Sequence, residues 1–326
     1  MAWNGIPWPW KKLRALGVMG INERNADFVL RYNPRRNYPL VDDKCRTKSL
    51  AMAAGIAVPP VYAVLEINHQ IETLGETLAS YEDFVVKPAH GCGGEGILVI
   101  AGRHNERYRL VGGSLLDEEG LGHHISNILS GMYSLGGLPD SALIEYRVKF
   151  DPIFEHISFQ GVPDVRILVF RGVPVLAMIR LPTRLSDGRA NLHQGAVGVG
   201  IDLATGLTFS GVWRETPIDE HPDTGGHLAG VQIPGWDEIL LMTARCHDLV
   251  ELGFLGVDIV LDRELGPMML EMNARPGLSI QVANKVGLLP RLRALEAVSS
   301  ISGSMEERVR LAKSLALGEW PTPFDP

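Results

Sequence analysis

Apolar and polar positions change period several times along this chain, and each change marks an element. Asp42 and Asp43 precede the Ala- and Leu-containing run Lys44-Cys-Arg-Thr-Lys-Ser-Leu-Ala-Met-Ala-Ala54, which ends at Gly55. An acidic cap, a helix-forming interior and a terminal glycine predict one short helix, stopped by Val58-Pro59-Pro60. Phe84-Val-Val-Lys87-Pro88 and Ile97-Leu-Val-Ile100 predict two strands on either side of a glycine loop, and Ala142-Leu-Ile144 predicts a third. In the second half, 165–170 and 175–179 predict strands and 190–200 a glycine-rich loop. Ile239, Met242, Cys246 and Leu249 recur at helical spacing within 237–252. Segments 256–261 and 268–272 predict a hairpin around Glu264-Leu-Gly-Pro267. Ser304-Met-Glu-Glu307 is a capping box that opens a last amphipathic helix. Residues 1–40 follow neither period and read as irregular, and no internal repeat is present.

Composition narrows the class. A chain of 326 residues with 45% hydrophobic and 21% charged residues has room for one elaborate domain or two to three small ones with an ample core. The net charge of -7 excludes a general nucleic-acid binder. It does not exclude a polyphosphate ligand, because exposed charges are screened beyond roughly 8 Å at physiological salt. Cys45, Cys92 and Cys246 form no CxxC pair, which suits a reducing cytoplasm and no structural zinc. The longest apolar stretch, 167–181, is broken by Arg171, Pro174 and Arg180, so no spanning helix is expected. The first residues lack the apolar core of a signal peptide.

Candidate chemistry begins at Gly91-Cys-Gly93-Gly94-Glu-Gly96. The string matches GxGxxG, but a dinucleotide fingerprint must open a helix, and here a strand follows. A P-loop needs its lysine inside GxxxxGK[ST], and none is there. What remains is a strand–loop–strand glycine flap, whose backbone N–H groups can approach phosphates closely. Protein kinases use such a flap, but their lysine lies on a later strand, and no HRD…N or DFG set is found. Lys87, just before the loop, favours phosphate binding over a plain hairpin turn.

Acids inside otherwise apolar strands point the same way. Gly256-Val-Asp258-Ile-Val-Leu and Met268-Met-Leu-Glu271-Met-Asn273 place Asp258, Glu271 and Asn273 where an unpaired charge is costly. Two acids and an amide suit Mg²⁺ completed by phosphate oxygens and water. Glu271 and Asn273 share a strand face. Asp258 joins that face if paired residue numbers sum to 529 or 531, and leaves it at 530. The plainer alternative has Asp258 capping a turn and Glu271 pairing with Arg275.

Together these motifs resemble the ATP-grasp superfamily. The Asp-Lys44-x-Arg helix, the Val-Val-Lys87-Pro strand with its flap, Leu-Ile-Glu145 and Asp258…Glu271-Met-Asn273 occur in that family's order over residues 42–278. Pro163-Asp164-Val-Arg166-Ile-Leu-Val and Ala190-Asn191-Leu-His193-Gln-Gly195 are similar to RimK-type, alpha-L-glutamate ligase-like proteins. The resemblance implies an α+β ATP-grasp fold: an N-terminal Trp/Pro-rich segment 1–41, a central subdomain 42–146 with the flap, and a C-terminal subdomain 147–326 with the metal site, the two subdomains gripping ATP. It implies that Lys44 and Lys87, with Gly91, Gly93, Gly94 and Gly96, hold phosphates. Backbone at Glu145, Tyr146 and Val148 would read adenine, and Asp164 the ribose. Arg166, Arg180 and Asn191 would line the phosphate and acyl end. Similar ligases carry a full α/β domain before the Asp-Lys helix; here about forty residues stand there, so the acceptor is not inferred from them.

The implied activity is an ATP-dependent carboxylate–amine ligase that forms an amide bond through an acyl phosphate, with glutamate or a related amino acid, or a peptide, as substrate. Its cofactors would be ATP and Mg²⁺, as one or two ions, with Mn²⁺ as a substitute. Alternatives are a small-molecule kinase and a non-catalytic ATP-binding module. Arg275, two residues after Asn273, has the planar fork that holds a carboxylate or a transferring phosphoryl group, as does Arg180. His193 is a candidate general base. His123 and His124 have no acid nearby in sequence and read as surface. Cys92 reads as a small residue tolerated in the flap, or as a thiol activated by phosphate-binding amides. Trp3, Trp8 and Trp10 beside Lys11, Lys12 and Arg14 either pack on the domain or make a peripheral contact with a membrane protein at the inner face of a membrane. A homo-oligomer is compatible with all of this.

Overall fold

The computed structural model describes residues 9–91, 93–299, 301 and 303–319. Trp3, Trp8, the Trp10 side chain and Cys92, on which expectations were placed, lie outside them. The chain forms two compact units, Asp42–Lys149 and the combination of Met1–Val41 with Phe150–Pro326.

The first unit is built on β1 (Val61–Leu65), β2 (Phe84–Pro88), β3 (Leu98–His104), β4 (Arg107–Leu110), β5 (Leu115–Leu116) and β6 (Ala142–Glu145). They form an antiparallel sheet in the order β1-β6-β2-β3-β4-β5. Alternation decides its faces. Phe84 and Val86 of β2, Ile100 of β3 and Ala142 and Ile144 of β6 bury with Leu121, Ile125 and Ile128 of the helix Glu118–Leu129. The residues between them, Lys87 and Glu145, must point to the other face. The helix Lys44–Ala53 forms as the sequence predicts. Asp43 caps it by accepting from the Cys45 and Arg46 amides at 2.9 and 3.1 Å, and Gly55 follows with φ of +68°.

The larger unit carries β7 (Asp164–Phe170), β8 (Val173–Leu181), β9 (Val197–Ile201), β10 (Thr208–Trp213), β11 (Thr216–Ile218), β12 (Phe254–Asp262) and β13 (Gly266–Asn273). Their order is β11-β10-β9-β8-β7-β12-β13, again antiparallel throughout. All nine residues of β12 are buried, so it reads as a continuous apolar run and makes Asp258 conspicuous. The capping box at Ser304 is formed in both directions: Ser304 Oγ accepts from the Glu307 amide at 3.3 Å and the Glu307 carboxylate from the Ser304 amide at 2.8 Å.

Two expectations are corrected. Residues 190–200 are not one loop: a 3-10 turn at Leu192–Gln194 leads into β9. Val197-Gly-Val-Gly-Ile201 uses glycine because the helix Ser279–Asn284 packs against it. A Cβ at Gly200 would sit 2.9 Å from the Ala283 carbonyl. Nor is the described part of 1–40 irregular. It contains the helix Pro9–Ala15, a π-helical turn Arg24–Val29 and further short helices. These are fixed by tertiary contacts rather than by periodicity. Phe28 is fully buried against Phe170 and Phe254. Asn33 Nδ2 donates to the Phe254 and Ala274 carbonyls at 2.7 and 2.8 Å, and its Oδ1 accepts from the Phe254 amide at 2.8 Å. Among the described residues no helix is long and apolar enough to cross a membrane.

Candidate active site

In the smaller unit, β2 and β6 pair so that Lys87 lies opposite Leu143 and Val85 opposite Glu145. Lys87 and Glu145 are therefore diagonal neighbours on the face turned away from the apolar core. Lys87 Nζ lies 2.5 Å from Glu145 Oε1, and Lys48 Nζ, from the helix Lys44–Ala53, lies 2.9 Å from Oε2. The Lys48 contact is an ion pair that misses hydrogen-bond alignment at Oε2. Lys48, Lys87 and Glu145 are 1%, 5% and 3% exposed, so two ammonium groups and one carboxylate are held out of water with a net positive charge. Burial first, then the neighbouring Lys87 charge, pulls the Lys48 amine down to about 8 against the attraction of Glu145. Burial alone would raise the Glu145 carboxyl; Lys87 and Lys48 outweigh it and hold it below its ordinary value.

Lys48 is absent from the set expected from sequence. Its signal was the i, i+4 spacing from Lys44, which puts both on one helix face. Lys44 itself turns to the glycine loop, donating from Nζ to the Gly91 carbonyl at 2.6 Å. Of the expected adenine-reading backbone, Glu145 is paired to strands on both sides, and the Tyr146 amide donates to the Pro60 carbonyl at 2.8 Å. Val148 lies beyond the strand and is buried.

The loop is held at both ends. Gly93, Gly94 and Gly96 have φ of +66°, +81° and +72°, a region that disfavours every L side chain, and a Cβ on Gly96 would strike the Tyr133 ring. Among the described residues nothing lies within 4 Å of where a Gly93 Cβ would be. At the entrance, buried Asp140 accepts from the His90 amide at 3.1 Å and from the Ser141 amide at 2.7 Å. It also lies 2.7 Å from His90 Nδ1 and accepts from the Ser134 hydroxyl at 2.5 Å, while Ser134 bridges back to Gly91. Burial opposes ionisation of Asp140, but these donors win and its pKa falls. His124, expected at the surface, is instead half-buried with Nε2 3.0 Å from the Gly96 carbonyl. Burial pulls its pKa down. The sequence missed these contacts because they join residues up to fifty positions apart.

In the larger unit one cross-strand row runs Arg166 (β7), Asp258 (β12), Glu271 (β13). The pair Asp258–Glu271 sums to 529, which puts Asp258 on the face of Glu271 and Asn273. A bulge follows, since Ile259 pairs with Met269 and leaves Leu270 extra. Arg166 donates from Nε to Asp258 Oδ1 at 2.6 Å and from Nη2 to Oδ2. Arg180 clasps Asp164 with Nε and Nη2, and the same Nη2 reaches Asp258 Oδ2 at 2.8 Å. Burial raises Asp164, and the nearby Asp258 charge adds to that against Arg180. Asp258 is held down by Arg166 and Arg180 in spite of full burial. Among the described residues, neither arginine has an acceptor on its Nη1. Both oxygens of Asp164 are taken by Arg180, which makes it a holder of that guanidinium here.

The remaining expected residues lie elsewhere. Arg275 is exposed over the Tyr38 ring at 5.3 Å, and the charge partner of Glu271 is Arg166 at 3.8 Å. Asn191 caps the Leu192–Gln194 turn by accepting from the His193 amide at 3.0 Å, and His193 is exposed.

Mg²⁺ fits part of this donor set. Glu271 is about a third exposed, and Asn273 Nδ2 donates to its Oε1 at 3.3 Å, so an amide and a carboxylate stand side by side at the open end of the row. Both are hard oxygen donors, as Mg²⁺ requires. Asp258 is fully buried and already accepts three hydrogen bonds. It reaches a cation only through a lone pair that Arg166 and Arg180 leave. Among the described residues no three His, Cys, Asp or Glu side chains converge.

Comparison with known families decides the identity. Residues 23–297 match the model of the sugar-transfer associated ATP-grasp family. The chain belongs to this family. Membership places it in the ATP-grasp superfamily and names the fold of its two antiparallel sheets. The RimK-type subfamily suggested by the sequence is not the one matched. No curated protein matches the chain. Among solved structures it is similar to the ATP-grasp ligase PsnB complexed with minimal precursor, at 15% identity and TM-score 0.44, covering 82% of this chain and 63% of PsnB. It is similar to the D-cycloserine synthetase DcsG at 15% identity and TM-score 0.44, covering 91% and 80%. It is also similar to the biotin carboxylase domain of 2-oxoglutarate carboxylase from Hydrogenobacter thermophilus at 16% identity and TM-score 0.49, covering 82% and 48%. The sugar-transfer associated ATP-grasp chain thus spans less than two thirds of the length of PsnB.

Proposed function

We propose that this protein is an ATP- and Mg²⁺-dependent ligase that joins a carboxylate to an amine. The observation that carries the reading is the row Arg166–Asp258–Glu271 with Arg180 alongside. Two guanidiniums, fixed by buried carboxylates, keep Nη1 available beside a pair of oxygen ligands. Such preorganised donors stabilise negative charge that develops on a transferring phosphoryl group and on the acyl oxygen. In this reading Lys44, Lys48, Lys87 and the glycine loop bind the ATP phosphates, and Glu271 and Asn273 bind Mg²⁺. Mg²⁺ when bound supplies charge neutralisation on the phosphate oxygens. The substrate carboxylate takes the γ-phosphoryl group and ADP leaves; the amine then attacks the acyl carbon, loses a proton and expels phosphate. Asp164 and Asp258 hold Arg180 and Arg166 in place through both steps.

A glutamate-using, RimK-type version rests on 163–169 and 190–195 alone. The family's association with sugar transfer puts amino sugars beside amino acids and peptides among the amines to test. The test is ADP release across acids and amines, with mass spectrometry of the product. Release that requires both an acid and an amine, with loss of one water between them, is expected. A stable phosphorylated product instead makes the protein a kinase, and nucleotide binding without turnover makes it a binding module.

The Lys48 assignment has a pH signature. Its amine loses charge as pH rises through about 8, so a phosphate contact weakens above that value. ADP affinity is expected to fall on the order of ten-fold between pH 7 and 9, the size of one charge-assisted hydrogen bond. Lys48→Arg, whose guanidinium stays charged, should flatten that dependence. Equal slopes in the two proteins, measured by ADP titration, would remove Lys48 from the phosphate site.

A further inference from the structure

The helix Pro9–Ala15 is held through the chain that follows it. The Gly17 carbonyl accepts from the Leu289 amide at 3.0 Å, and a Cβ on Gly287 would sit 2.2 Å from the Leu16 carbonyl oxygen. Buried Met19 comes next, its amide donating to Gln281 Oε1 at 2.8 Å and its carbonyl accepting from Gln281 Nε2 at 3.1 Å. The helix itself buries none of its described side chains. Lys11, Lys12, Leu13, Arg14 and Ala15 are all exposed, and so is Leu16. Its seven residues are too few to be stable in water on propensity alone, since isolated helices below ~12–15 residues are marginal. A helix of this length with no packed face is one that an outside surface completes.

Its side chains say what kind of surface. The Leu16 amide donates to the Lys12 carbonyl at 3.0 Å, so Leu16 continues the helical turn. At about 100° per residue, Leu13 and Leu16 share one side, Lys12 and Arg14 flank it, and Lys11 stands behind it. The two leucines are 49% and 58% exposed, and Val286, also exposed, precedes the glycine that touches this turn. Lys11, Lys12 and Arg14 are the charged side chains of residues 1–22, with no acid among them, in a chain whose net charge is -7. Among the described residues no acid pairs with any of the three. Trp3, Trp8 and Trp10 precede them in sequence, and tryptophan collects at the headgroup level of a bilayer.

We propose that the turn 11–16 docks on an anionic lipid surface, with Leu13 and Leu16 entering the headgroup–acyl boundary and Lys11, Lys12 and Arg14 meeting lipid phosphates. The long stems of Lys12 and Arg14 let their charges stay at the phosphates while the leucines beside them sink. Charge complementarity selects this occupant. A neutral surface attracts the leucines alone and leaves the cations without partners. The rest of the chain carries every acid and is repelled by anionic lipid, which confines the contact to this element. None of these residues is placed at the ATP or metal site, so the contact stands whether or not the ligase reading does.

The full chain is sedimented with vesicles of phosphatidylcholine alone or with phosphatidylglycerol added. Binding is expected where the anionic lipid is present, and it should weaken as salt rises and screens the charges. The triple variant Lys11→Gln, Lys12→Gln, Arg14→Gln should lose affinity on the order of a hundred-fold, about five-fold for each cation near the surface. Leu13→Ser with Leu16→Ser keeps all three charges and should still lose about ten-fold, which a purely electrostatic contact would not. The unfolding temperature should be the same in all three proteins, because the substituted side chains are exposed. Equal binding to both kinds of vesicle, no binding by the wild type, or a variant of either kind that binds as tightly as the wild type overturns the proposal. If the wild type ignores vesicles while both variants change its oligomeric state in sedimentation velocity, the face takes a second copy of the chain and the lipid proposal fails.

Discussion

Replacing Glu145 with Gln is expected to cost about 3–5 kcal/mol of folding stability, the usual range for breaking a buried ion pair by removing one partner. Shape is nearly conserved, so the loss is one of charge. Lys48 and Lys87 each lie within 3 Å of this carboxylate, and all three side chains are almost fully buried. Without Glu145 two ammonium groups face each other in a site that already pulls the Lys48 amine down to about 8. The site can respond only by shedding a proton or by opening. Urea denaturation at pH 7 measures the loss. The double variant Glu145→Gln, Lys48→Met should recover part of it, because one of the two orphaned charges goes with it. A loss under about 1 kcal/mol for Glu145→Gln would show that water reaches the cluster and that the charges are not held dry.

The same cluster shows what could be read from sequence and what could not. Lys87 was legible because a lysine in the apolar strand Phe84-Val-Val-Lys87-Pro88, just before a glycine loop, has no structural reason of its own. That Asp258 shares a strand face with Glu271 and Asn273 was also legible, since it reduced to an arithmetic condition on the register that the pair Asp258–Glu271 meets. Lys48 was not, because a lysine in a short helix is ordinary until the sheet beneath it is known. Asp140 and His124 were invisible for a related reason. Asp140 meets the His90 and Ser141 amides, the His90 ring and the Ser134 hydroxyl, and His124 meets the Gly96 carbonyl; backbone partners carry no sequence signal, and the side-chain partners come together only in the fold. The 190–200 segment failed differently. Its glycines were taken as loop residues, whereas they admit the helix Ser279–Asn284 against β9. The described part of the N-terminal forty residues offered no period because Phe28 and Asn33 are held by strands more than a hundred residues away.

Glu271→Gln separates catalysis from stability. Glu271 is a third exposed; it lies 3.3 Å from Asn273 Nδ2 and 3.8 Å from Arg166 and shares a side-chain hydrogen bond with the Asp258 carboxyl, a contact that a glutamine amide can also make as donor, so its charge adds little to the fold. Stability is expected to change by less than about 1 kcal/mol, as for a partly screened pair. Turnover should fall on the order of a hundred-fold or more, because a neutral amide replaces the one carboxylate ligand that no pair of guanidinium hydrogen bonds already occupies. The defect should lie in the metal. ADP affinity without Mg²⁺ should be unchanged or slightly higher, as a negative charge near the phosphates is gone. The gain in affinity on adding Mg²⁺ should shrink, and raised Mg²⁺ should restore part of the rate. Asp258→Asn is the contrasting change, since it strips charge from a fully buried partner of Arg166 and Arg180 and should unfold the protein more readily than it alters metal dependence. If Glu271→Gln keeps full turnover with an unchanged Mg²⁺ dependence, the cation is held by other oxygens, and the row Arg166–Asp258–Glu271 orients the arginines alone.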